Sequence, residues 1–242
     1  MVSSAPERSR LLIGQRTIVV GAIALLVLLC WSFLVSGAGM PDMEMSMAPV
    51  GLGALVLMWW LMMLAMMLPS AAPAILLYTR VREQRGVGSV VSPWLFALGY
   101  ALVWLAFSMM AANLQALAAT PAMTFADPRA ASALLVAAGL YQLSPVKGAC
   151  LSNCRSPAQF LSRYWRPGAG GAIRLGIIHG AYCVGCCWLL MALLFVGGVM
   201  NFAWIVALTI LIAIEKLLPR GEWFGRAVGV ALIGWGAARL LF

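Results

Sequence analysis

Long apolar runs separated by short polar loops dominate this chain. Seven are legible, at roughly 17–36, 50–78, 93–118, 130–146, 172–198, 201–218 and 224–242. Crossing a hydrocarbon core about 30 Å thick takes roughly 20 mostly apolar residues, and most runs meet that length. In lipid each backbone group must bond within its own segment, so the runs predict helices. Polar residues do not alternate along them as a barrel wall requires. The expected fold class is all-α: a polytopic transmembrane helix bundle of about seven spans. Residues 1–242 form a single integral membrane domain, because no polar linker is long enough to separate two. Run four is the shortest, so the span count turns on it. The first run precedes SGAG but is long for a signal peptide, and reads as a retained anchor.

Composition agrees. The chain is 64% hydrophobic and 10% charged, with a mean hydropathy of +0.98, which excludes a soluble domain. The net charge of +9 would suggest a nucleic-acid partner in a soluble protein. Here the basic residues sit in short loops, where they orient the chain in the lipid bilayer, so no nucleic acid is expected. Arg8, Arg10 and Arg16 precede run one; Arg80, Arg82 and Arg85 follow run two; Lys147, Arg155, Arg163 and Arg166 follow run four. The loop after run one holds Asp42 and Glu44 without Lys or Arg, and the one near Asn201 is uncharged. Basic loops face the cytoplasm, which predicts a bacterial inner-membrane protein with a cytoplasmic N-terminus and a periplasmic C-terminus.

The candidate chemistry lies within this apolar frame. HGAYCVGCCW carries the only histidine and three cysteines. His179, Cys183 and Cys186 stand at i, i+4 and i+7, with Cys187 beside them, so one helical stripe bears all four. At 1.5 Å per residue the cysteines lie roughly 15–25 Å into the bilayer. Gly176, Gly180 and Gly185 would let another helix approach closely. A lone cysteine such as Cys30 reads as a small hydrophobe, but three with the only histidine on one stripe do not.

MWWLMMLAMMLPSAAP places Met58, Met62 and Met66 at i, i+4 and i+8, with Met63 and Met67 on the adjacent face. Met62 and Met66 should reach the depth of Cys183. Pro69 and Pro73 should break or kink this helix. Methionine is also an adaptable packing residue, so the stripe has a plain alternative. The outer loop GMPDMEMSMAP adds Met40, Met43, Met45 and Met47, soft thioethers that suit Cu(I) capture, or else a loop that dips into the membrane. The inner loop SPVKGACLSNCRSP holds Cys150 and Cys154 between Lys147 and Arg155, and positive neighbours favour thiolates. A reducing cytoplasm argues against a structural disulfide there. Straight-helix geometry separates this pair from Cys183 by roughly 15 Å or more, so a shared site would need a re-entrant loop. Glu215, beside Lys216 at the inner end of run six, reads as an interfacial anchor or as a gate or proton site.

Together MWWLMMLAMMLPSAAP, YQLSPVKGACLSNCRSP, HGAYCVGCCW and IEKLLPRGE resemble a bacterial family of predicted metal-binding integral membrane proteins, some labelled copper chaperones. The resemblance spans residues 58 to 222 and implies an inner-membrane protein that handles a metal, copper foremost.

Two to four soft ligands suffice for Cu(I). Cys183, Cys186 and Cys187 with Met62 and Met66 could supply them, with Met58 and Met63 nearby, His179 nearer the cytoplasm and Cys150/Cys154 at the inner surface. Zinc fits less well, because a tetrahedral Cys/His site leaves the methionines idle. Haem would depend on one histidine, with His/Met ligation. The expectation is a Cu(I) relay across or within the membrane that exchanges copper with a donating or accepting protein; a homo-oligomer is compatible with it. Two alternatives stay open: an enzymatic thiol–disulfide relay through Cys150/Cys154 and the Cys183–Cys187 group, and a structural subunit of a membrane complex. No GKS/T phosphate loop or phosphorylatable DKTG aspartate supports ATP-driven transport.

Overall fold

A computed structural model describes residues 5–36, 51–84, 92–118, 124–125 and 127–241. In chain order the helices are α1 (Ala5–Val35), α2 (Leu52–Gln84), α3 (Ser92–Ala118), α4 (Pro128–Leu143), α5 (Pro145–Arg155), α6 (Pro157–Tyr164), α7 (Gly168–Ala192), α8 (Leu194–Gly197), α9 (Phe202–Leu217) and α10 (Gly221–Leu241). Among the described residues, five stretches are long and apolar enough to cross a membrane: Thr17–Val35, Leu52–Gln84, Ser92–Leu117, Gly168–Gly197 and Gly221–Leu241. A sixth arises if α4 and α5, bent by 64°, count as one. Run six of the sequence becomes α9, whose 16 residues extend about 24 Å, short of a full crossing. Its limits are set locally. Gly198 takes a positive φ of 94° ahead of it, which glycine tolerates. Asn201 caps its start by accepting the Trp204 N–H, and Pro219 follows its end.

The segment read as an inner loop is helical. Ser144 closes α4 and opens α5, accepting the Lys147 N–H at 3.2 Å, and Pro145 takes the first helical position. Ser156 and Pro157 repeat the break before α6. Pro69 and Pro73, expected to break or kink α2, lie inside one continuous helix.

Glycines set the closest packing. α3 and α7 pack together. A Cβ on Gly176 would come within 2.0 Å of the Phe96 carbonyl oxygen, and one on Gly99 within 2.3 Å of that of Ile173. The core these helices enclose includes Trp59, Tyr78, Phe96, Tyr100, Trp104, Met58, Met62, Met63 and Met67.

Candidate metal centre

The stripe on α7 faces inward, as its spacing predicts: His179, Cys183, Cys186 and Cys187 are all buried. The Cys186 and Cys187 thiols donate to the Cys183 carbonyl oxygen at 3.1 and 2.9 Å. Cys183 Sγ is itself a hub. Lys216 Nζ donates to it from 2.9 Å, and Tyr100 Oη lies 3.1 Å away. The Tyr100 hydroxyl also lies 3.1 Å from the Met67 carbonyl oxygen. Met67 Sδ is 3.9 Å from Cys187 Sγ and 3.7 Å from Lys216 Nζ.

α5 completes the group. It packs against α7, which brings the Cys154 thiol next to those of Cys183 and Cys186. Cys150 lies over Gly185, where an added Cβ would come within 3.0 Å of its sulfur. The expected separation of about 15 Å or more is therefore overturned: the bend after Leu143 lets α5 lie along α7. Cys30, on α1, is buried elsewhere.

The expected flanking charges are not where the sequence put them. Lys147 turns from the thiols to pair with Glu215 at 2.6 Å, and it also donates to Gln142. Gln142 Nε2 donates to the second Glu215 oxygen at 2.6 Å. Arg155 reaches the Leu218 and Pro219 carbonyls at 2.8 and 2.6 Å and Glu222 at 3.1 Å. Neither Glu215 nor Lys216 is an interfacial anchor; they are 2% and 6% exposed. Lys216 is thus the cation at the thiols. Two adjacent charged residues closing an apolar run were its only sequence signal. A helix end, where side chains normally reach water, gave that signal an ordinary explanation.

Met58, Met62, Met63 and Met66 are buried in α2, but Met67 supplies the thioether seen against a thiol. His179 sits one turn from Cys183, among Phe96, Tyr100 and Phe160 at ring separations of 5.8, 5.9 and 5.0 Å. Its Nδ1 is buried without a hydrogen-bond partner. Met40, Met43, Met45 and Met47 lie outside the described residues.

Among the described residues, no three His, Cys, Asp or Glu groups are arranged as a ready metal centre. Two thiols are instead hydrogen-bonded to backbone. The donor chemistry nevertheless fits a soft monovalent cation, which accepts few ligands and favours thiolate and thioether.

Neither the curated proteins nor the solved structures contain a match. A family model, PpoB2, described as copper chaperone, matches residues 56–239. That stretch contains α5, α7, α9, Met67 and every clustered cysteine. The match covers most of the chain, which therefore belongs to the PpoB2 copper chaperone family.

Proposed function

We propose that this chain binds Cu(I) inside the inner membrane and passes it to a partner. Cys154, Cys183, Cys186 and Cys187 would be the thiolate donors and Met67 the thioether. The observation that carries this reading is the approach of the half-buried Cys154 of α5 to the buried thiols of α7, beside a buried methionine from α2. Copper is the cargo. Binding replaces thiol protons with metal–sulfur bonds, so the thiol hydrogen bonds to the Cys183 carbonyl are released as the cation enters.

The remaining donors suggest a path. Met40, Met43, Met45 and Met47 would capture copper outside, and Met58, Met62, Met63 and Met66 would line the approach through α2. His179, with its unpartnered Nδ1, and Cys150 would serve as exit donors, and Glu215 would close the inner end through its pair with Lys147. The N-terminus would face the cytoplasm and the C-terminus the periplasm.

Copper-edge X-ray absorption on the anaerobically loaded protein tests the reading. A sulfur-dominated Cu(I) shell that loses a sulfur in Cys154→Ser is expected; a nitrogen- or oxygen-dominated shell would overturn it. The approach of Cys154 to Cys183 and Cys186 also favours a second reading, a thiol–disulfide relay. That relay predicts a trapped mixed disulfide with a partner and no copper after loading.

A further inference from the structure

We infer that Lys216 makes the thiol site selective for monovalent over divalent soft cations, an inference that rests on the copper-binding reading above. An ammonium group has three N–H donors, and Lys216 has three acceptors in reach. They are Cys183 Sγ at 2.9 Å, Ser70 Oγ at 3.4 Å and Met67 Sδ at 3.7 Å. Two of the three are proposed ligand atoms, so a metal held by Cys183 and Met67 lies next to this charge.

Among the described residues, no carboxylate pairs with that charge. Glu215 is adjacent in sequence, but its oxygens are taken by Lys147 and Gln142, each at 2.6 Å. Among the described residues, no ion pair involves Lys216. Once a metal displaces the thiol protons, the thiolates it binds become the counter-charge of Lys216. With two of them the site carries a net charge of −1, which a monovalent cation cancels. A divalent cation would leave a buried excess of +1. For any number of thiolates, repulsion from Lys216 grows with metal charge, so a divalent ion is penalised twice as much as a monovalent one. Removing Lys216 must shift preference toward the divalent ion.

The test is a competition titration in detergent under reductant, with Ag(I) as a redox-inert monovalent probe and Cd(II) as a soft divalent one. Wild type, Lys216→Met and Lys216→Arg are compared. Lys216→Met should move the Ag(I)-to-Cd(II) affinity ratio toward Cd(II) by at least about tenfold, and Lys216→Arg should restore the wild-type ratio. An unchanged ratio in a Lys216→Met protein whose wild type binds Ag(I) would overturn the inference alone. A wild type that binds neither Ag(I) nor Cu(I) would overturn the copper reading itself. Where Lys216→Met does not fold, Lys216→Gln keeps a donor for Ser70 and carries the same expectation.

Discussion

At the residue scale, Cys183 and Met67 carry most of the site's contacts, and they were not equally legible. Helical spacing alone put Cys183, Cys186 and Cys187 on one stripe with His179. Met67 could not be told from Met66, because α2 is apolar around its circumference and periodicity then gives no inward face. The contact made by Met67 now separates them. Met67→Leu should weaken Cu(I) binding by about tenfold, or about 1.4 kcal/mol. Met66→Leu should change it far less, since Leu and Met are close in volume and it is Met67 whose Sδ lies against the Cys187 thiol. A Cu(I)-chelator competition on both variants checks this; equal losses would remove Met67 from the ligand set.

At the element scale, α5 is held at both ends. Its first turn is fixed by the buried Lys147–Glu215 pair and its last by Arg155 on the Leu218 and Pro219 carbonyls. Gly225 gives the Glu215 carboxylate room, since a Cβ there would come within 2.2 Å of Oε1. Glu215→Gln removes the anionic partner of Lys147 in a buried setting and should cost roughly 3–5 kcal/mol. It should also speed alkylation of Cys154 by loosening α5. Glu222→Gln, at a half-exposed carboxylate, should cost about 0–1 kcal/mol. Denaturant unfolding in micelles, with timed alkylation, measures both effects. At the α3–α7 contact, Gly176→Ala should cost about 1–3 kcal/mol, because the backbones must separate. The serine–proline pairs around α5 were plain in the sequence. What they did not reveal was direction: a bend that returns Cys154 to Cys183 depends on tertiary packing, which local spacing does not encode.

At the scale of the whole molecule, apolar run lengths were enough to foresee an all-helical chain with several helices able to cross a membrane, and small residues marked the close helix contacts. The count was harder. α9 is apolar yet short, and it carries two charges into the interior rather than out to the interface. Loop charge predicts that reporters fused at the C-terminus report the periplasmic side and those fused after Gln84 the cytoplasmic side; the reverse pattern would contradict the proposed orientation. The central claim is that the α5 and α7 thiols bind copper as a unit. The most direct measurement is copper content by mass spectrometry on protein purified anaerobically with reductant, wild type beside Cys183→Ser/Cys186→Ser/Cys187→Ser. Near-stoichiometric copper in the wild type that is lost in the triple variant is the predicted result. No copper in the wild type after Cu(I) loading, or equal copper in both, would contradict it.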